Sequence, residues 1–379
     1  MYKTRAFILI YSRFAQLFQF HHLVCLYSQC IGFTRYRQKK ELLYMKSPLL
    51  NLTKELRQRI RKRSMPAWTP PMLATLTKDY FSDSAWIFEE KFDGIRILAF
   101  CKGSQVKLFS RNKISQNGTY PEIADALKNL KLNAILDGEV VAFSGKKTSF
   151  EQLQKRFMAI ELEQAISNKV SVYYYVFDLL FLDGYDTTQL PLLERKKLLQ
   201  KIIPTKGIVR YTPHKNEKGK QLRITACKKG WEGIMAKKAD STYQQKRSRD
   251  WLKFKCLNEQ ELVIVGYTDP QGSRIGFGAL LLGYYEKGKL QYAGKVGTGY
   301  DTQTLQLLYK KLSKLQTKKC YCEPDASLPK SKVHWVRPQL VAQIGFMEWT
   351  RGHKLRHSRY LGLRNDKKAK EVVREVAQI

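Results

Sequence analysis

Apolar and polar positions along this chain repeat with two different periods, and the places where the period changes divide it into strands and helices. Residues 86–90, 95–101 and 106–110 read as strands, with Gly103-Ser104 as the turn between the last two. Pro121 opens a helix to about residue 130, with Ile123, Leu127 and Leu130 spaced to share a face. Residues 133–143 read as a strand pair or one long strand interrupted at Asp137-Gly138, and 150–163 carry a helical pattern. The tyrosine- and valine-rich run 170–178 predicts a buried strand, followed by a helix over 192–199 and a strand over 207–211. Ahead of these, residues 50–63 are basic and helix-compatible and end before Pro66 and Pro70-Pro71. Hairpin strands mixed with packed helices define an α+β fold.

After Lys255 the texture changes. Short strands at 261–267, 278–285, 289–295 and 333–349, separated by glycine turns, surround one helix at 302–315 and predict a small β-barrel. The boundary falls near 257–260, giving a leader over 1–45, a first domain over 46–257 and a barrel over 258–379. Within the leader, residues 14–33 contain no Asp, Glu, Lys or Arg, but Gln16, Gln19, His21, His22, Ser28 and Gln29 dilute the run. Neither a membrane span nor a signal peptide is expected there, and Met45 is a candidate start.

Composition narrows the partner. The 379 residues are 43% apolar, enough for two cores, yet carry 68 Lys plus Arg against 33 Asp plus Glu, a formal charge of +35. Such an excess costs self-repulsion in the compact state and is repaid by a polyanion; a nucleic acid is expected rather than a lipid surface. Seven scattered cysteines, an odd number, suggest reduced cytosolic thiols and no disulfide framework. Cys320 and Cys322, with His334 beyond, lack the usual zinc spacing.

Lys91 is the leading candidate for chemistry, an amine set in Glu89-Glu90-Lys91-Phe92-Asp93-Gly94-Ile95-Arg96. A strand over 86–91 would put Glu89, Lys91 and Asp93 on one face, while Gly94 supplies turn freedom that aims Arg96 back at a bound anion. Ser110-Arg111-Asn112 offers donors for a ribose or phosphate, and Asp137 and Glu139 flank a glycine in a pattern suited to a ribose hydroxyl or hydrated Mg²⁺. Phe177 ends a predicted strand, where a ring can stack on a base; Glu232 adds a carboxylate beside Gly233. Lys253 and Lys255 alternate and so share a face. Each piece alone is commonly a turn, a hairpin, a core aromatic or a solvated edge, but together they make a kit for nucleotidyl transfer.

In their order these segments resemble the motifs of ATP-dependent DNA ligases, from Lys91 to Arg96 through Ser110 to Asn112, Leu136 to Glu139, Tyr174 to Asp178, Glu232 to Lys237 and Trp251 to Lys255. Pro71-Met72-Leu73-Ala74, the run from Phe177 to Gly184, Pro191 to Lys196 and the stretch from Glu348 to Lys367 are similar in particular to the ligase domain of bacterial DNA ligase D. Lys113 stands where the family more often has glycine. The resemblance spans about residues 65–370 and implies a nucleotidyltransferase (adenylation) domain followed by an OB-fold barrel, in a stand-alone ligase core. It implies ATP and Mg²⁺, adenylation of Lys91, transfer of AMP to a 5′-phosphate and sealing by a 3′-hydroxyl. Glu89 would accept from the adenine amine, Arg96 and Glu139 would hold the ribose, Arg111 the ribose or the 5′-phosphate, and Phe177 would stack on the base. Glu139 and Glu232 would bind the metal, and Arg364 and Lys367 of the barrel would orient pyrophosphate on domain closure near 255–259. Lys253, Lys255 and Mg²⁺ are expected to lower the pKa of Lys91.

Duplex DNA with nicks or ends is the implied partner, with a Ku-type end-binding protein as a further one, in a cytoplasmic, nucleoid-associated monomer. An RNA ligase, another nucleotidyltransferase such as a capping guanylyltransferase, and a non-catalytic DNA-binding protein of the same fold are the alternatives. An ionised Glu89 would repel the carbonyl of guanine, which favours ATP over GTP. NAD is not expected as donor, since no nicotinamide-binding segment is legible ahead of Lys91.

Overall fold

The computed structural model describes residues 47–161, 170–329 and 331–377. The leader expected over 1–45, with Met45, lies outside the described residues. Contacts divide the chain into a unit over 1–57, whose described part includes a 3-10 turn at Pro48–Asn51, and a unit over 58–379. The helix expected over 50–63 is only Lys54–Arg59; Arg61–Lys62 instead forms a strand against Tyr185–Asp186.

The second unit contains two sheets ahead of the barrel. A five-stranded sheet orders Lys215–Asn216, Trp86–Glu90, Gly233–Lys238, Arg247–Lys255 and Leu73–Leu76. One face buries Phe88, Ile234, Ala236 and Phe254 against Ala226 of helix Gly219–Lys228, which leaves the opposite face for polar residues. That helix is absent from the sequence-based expectation because Ile224, 54% exposed, breaks its apolar stripe. In the eight-stranded sheet, Asn133–Ser144 lies between Ile95–Lys102 and Val172–Leu182. Asp137-Gly138 does not interrupt this strand; the pairing with Val172–Leu182 shifts register there instead. A side chain on Gly138 would meet the Tyr175 carbonyl at 2.5 Å, so only glycine fits.

The barrel begins with Asn258–Thr268, which pairs along one edge with Leu280–Glu286 and along the other with Val341–Phe346 and then Val333–Val336. The single strand expected over 333–349 is thus three, Val333–Val336, Val341–Phe346 and Glu348–Trp349, with Pro338 in the first gap. Arg359–Leu363 adds a strand not foreseen, and the Tyr360 amide donates to the Thr298 carbonyl at 3.0 Å, drawing the sheet toward closure. Helix Thr302–Lys314 caps the core with Leu305, Leu308 and Leu312; the Asp301 carboxylate accepts from the Thr304 amide at its N-terminus.

One expectation fails here. Cys227 and Cys256 form a disulfide joining helix Gly219–Lys228 to the segment after Arg247–Lys255, with Cα atoms 5.2 Å apart. Sheet pairing brings together cysteines whose sequence spacing gave no sign of it. Among the described residues no helix is long and apolar enough to cross a membrane.

Candidate active site

Register in the five-stranded sheet assembles one wall of a pocket. Met235 lies opposite Glu89 on one side and Lys253 on the other, and Gly233 lies opposite Lys255. Residues directly opposite share a face, so Glu89, Met235 and Lys253 form a row, flanked by Lys237 and Trp251. The Lys91 amide donates to the Gly233 carbonyl at 3.1 Å, which continues the pairing one residue past the strand. Gly94 acts differently from the expectation: its φ is not positive, and a Cβ there would lie 2.3 Å from the Val140 carbonyl. Close approach of backbone to backbone, and no turn, requires the glycine.

Opposite this wall, Arg96 and Glu139 face each other across the eight-stranded sheet. Arg96 holds Asp137 through Nε at 2.8 Å and donates through Nη1 to the Met72 carbonyl at 2.8 Å. Tyr243 donates to the same Asp137 at 2.7 Å and accepts from the Met72 amide at 2.9 Å. The guanidinium is therefore fixed by Asp137 and Tyr243, partners whose part in this is not legible in the sequence. Phe177 sits at the register shift between Asp178 and Val176, and the bulge turns its ring toward the pocket. It is only 8% exposed and packs edge-on against Trp251, with the Lys237 ammonium 4.2 Å from both ring centroids.

Glu89 is buried and paired with Lys196 of helix Leu192–Ile202 and, at 2.5 Å, with Lys237. Burial would raise its pKa, but the two ammonium groups outweigh it and hold the carboxyl below its ordinary range. Lys196 and Lys237 were legible only as quoted letters in motifs; period two from Gly233 would have placed Lys237 on the pocket face.

Lys91 departs from expectation. Burial favours its neutral form, but an ion pair with Glu232, aided by Asp93 and Glu139, overrides that and holds the ammonium more firmly than usual. Lys253, by contrast, is pushed down to about 8, by burial first and by the charges of Lys255 and Lys91. Of the expected Lys253, Lys255 and Mg²⁺, the two lysines do not depress Lys91, because the Glu232 carboxylate, which sequence spacing does not place there, pairs with it. Burial also drives Glu139 up to about 8, against the pull of Lys91, Arg96 and Arg364. Asp93 rises to about 6 and Glu259 to about 7, each by burial and then by repulsion from Glu232.

The barrel contributes the remaining wall. Arg364 grips Asp366 with two contacts of 2.9 Å and reaches the Gly94 carbonyl at 3.4 Å, while Lys367 pairs with Glu261 at 3.0 Å. Arg364 and Lys367 therefore line the same pocket as Lys91, a closed arrangement. Arg111 also lines it and touches Glu371 at 3.5 Å; Asn112 donates to the Asp366 carbonyl at 3.0 Å. Lys113, at φ 64°, occupies the left-handed turn that glycine adopts at less cost.

Residues 71–255 match the family description "ATP dependent DNA ligase domain", and residues 273–367 match "ATP dependent DNA ligase C terminal region". The chain belongs to the ATP-dependent DNA ligase family, with a nucleotidyltransferase domain followed by an OB-fold domain. It is 35% identical over 325 residues to the multifunctional non-homologous end joining protein LigD of Pseudomonas aeruginosa, covering 83% of this chain and 37% of that protein. With the LigD of Mycobacterium tuberculosis it shares 36% identity over 313 residues, 80% of this chain and 40% of that one. The chain thus spans well under half the length of these relatives. Among solved structures, mycobacterial DNA ligase D complexed with ATP and MES matches with a TM-score of 0.60 and 35% identity, over 81% of this chain and 98% of that one.

Proposed function

We propose that this chain seals 5′-phosphate/3′-hydroxyl breaks in duplex DNA with ATP, through an AMP adduct on Lys91 and then an adenylated 5′-phosphate. The observation that carries this reading is the row of Glu89, Met235 and Lys253, with Lys255 two residues along the same strand and Lys91 beside Gly233, closed over by Arg364 and Lys367. Glu89 faces the adenine amine, Phe177 and Met235 bracket the base, Arg96 and Glu139 hold the ribose, and Arg111 takes the ribose or the 5′-phosphate. Lys253 and Lys255 neutralise the α-phosphate. In the first step the neutral Nζ of Lys91 bonds to the α-phosphorus as the bond to the bridging oxygen breaks and pyrophosphate leaves. Glu232, paired with the Lys91 ammonium, is placed to take the proton that frees the neutral amine, and the second N–H proton leaves to solvent or the departing pyrophosphate as the P–N bond forms.

Magnesium fits the donors present. Glu139, pushed up to about 8 by burial, would ionise more readily beside a bound dication, and Glu232 already faces the Lys91 ammonium. Among the described residues no three acidic, histidine or cysteine side chains converge on a metal position, so the ion would rest on Glu139 and Glu232 with phosphate and water oxygens. Bound there, it would stabilise charge developing on the phosphates.

Division at 257/258 makes residues 46–257 the adenylation domain and 258–379 the OB-fold domain, which acts as a clamp in a monomer. The relatives' printed names support a role in end joining; a Ku-type partner and a cytoplasmic, nucleoid-associated setting are part of the same proposal. Sealing of nicked DNA, nicked DNA with a 3′-ribonucleotide and nicked RNA, each with ATP, GTP or NAD, tests the assignment. DNA with ATP should be sealed at least tenfold faster than any RNA or GTP combination; equal sealing of RNA would overturn it.

A further inference from the structure

Residues 372–376 run along the edge of the barrel and are fixed to it by their backbone. The Tyr285 amide donates to the Val372 carbonyl at 2.7 Å, and the Gln260 amide group donates to the Val373 carbonyl at 3.0 Å. The Glu375 amide then donates to Gln260 Oε1 at 3.0 Å. Alternation along the extended segment separates the next two side chains. Arg374 lies 6.0 Å from the Tyr284 ring and 5.9 Å from that of Trp349, on the barrel, whereas Glu375 turns into the pocket. There its carboxylate pairs with Lys253 and, at 2.9 Å, with Lys255. A carboxylate carried by the barrel thus spans the two lysines of the first domain that, on the reading above, hold the nucleotide phosphate.

We propose that Glu375 is an internal competitor for the phosphate subsite. Its two oxygens stand in for phosphate oxygens on Lys253 and Lys255, so nucleotide must displace a paired carboxylate before Lys91 can be adenylated. Because the segment is tied to the barrel, the same contact also holds the closed arrangement when no nucleotide is bound. The charge match is selective. A triphosphate brings more negative charge and more acceptors than one carboxylate and wins at high concentration, while at low ATP the enzyme stays closed and unadenylated.

Single-turnover adenylation with α-labelled ATP and Mg²⁺, measured across ATP concentrations, tests this in the wild type, Glu375→Gln and Glu375→Asp. The neutral isostere should lower the half-saturating ATP at least fivefold without changing the final fraction of labelled Lys91, and the shortened acid should fall between. Inorganic tripolyphosphate should raise the melting temperature of Glu375→Gln at a lower concentration than it does the wild type, a readout independent of turnover. Unchanged or raised half-saturating ATP in Glu375→Gln overturns the proposal, as does an unchanged tripolyphosphate requirement. If the wild type acquires no label at any ATP concentration, the nucleotidyl-transfer reading itself fails, a distinct result.

Discussion

Lys91 and Glu232 set the chemical problem at the scale of single residues. A buried ammonium paired with a carboxylate is a poor nucleophile, so the pairing must loosen as nucleotide and metal enter. Sequence alone pointed to Lys91, Glu89 and the two lysines of Trp251 to Lys255, because adjacent and alternating positions are readable as letters. The pairing with Glu232 was not readable, since it depends on strands far apart in sequence lying side by side. Glu139 yields a pH prediction. Its folded pKa, about 8, lies above the ordinary 4.5, so between those values the folded state retains a proton that the unfolded state has lost. That stabilisation is complete below the unfolded value and lost as pH rises through the folded one. The urea midpoint of nucleotide-free protein should fall from pH 5 to pH 8, and Glu139→Gln should flatten that fall; an identical slope would refute the assignment. Phe177→Leu should raise half-saturating ATP by about 5- to 150-fold, from a stacking loss of roughly 1–3 kcal/mol, and barely affect sealing by pre-adenylated enzyme.

Elements explain why those residues meet. Strands with regular alternation, such as Gln105–Ser110 and Lys289–Val296, were legible almost to the residue, because period two survives in the letters. Helix Gly219–Lys228 and strand Arg359–Leu363 were not, the first for its broken apolar stripe and the second for the glycine, Gly362, inside it. The disulfide between Cys227 and Cys256 ties that helix to the end of the strand bearing Lys253 and Lys255, with a sequence separation of 29. Loop-closure entropy for such a bridge is worth roughly 3.6 kcal/mol. Replacing both cysteines by serine should lower unfolding free energy by about that amount in non-reducing buffer and leave no further effect for reductant; an unchanged midpoint would contradict the bridge. At the turn after Gln105–Ser110, Lys113→Gly should be neutral or stabilising by up to about 1 kcal/mol, because the left-handed backbone already suits glycine.

For the whole molecule, closure and charge matter most. The barrel places Arg364 and Lys367 over Lys91, an arrangement the distance between motifs could only suggest. Arg364→Ala should slow adenylation of Lys91 at least tenfold while sparing the sealing of a pre-adenylated nick, on the proposal that the barrel swings away before DNA is gripped. Equal damage to both steps would argue against that division of labour. The net charge of +35 predicts affinity for a nicked duplex that falls steeply with salt and ignores sequence. All of this depends on covalent capture of AMP by one amine. The most direct measurement is incubation of the protein with α-labelled ATP and magnesium followed by peptide mapping. An acid-labile label on the peptide containing Lys91, absent from Lys91→Ala, is the predicted result; label that persists in Lys91→Ala, or maps to another lysine, would contradict it.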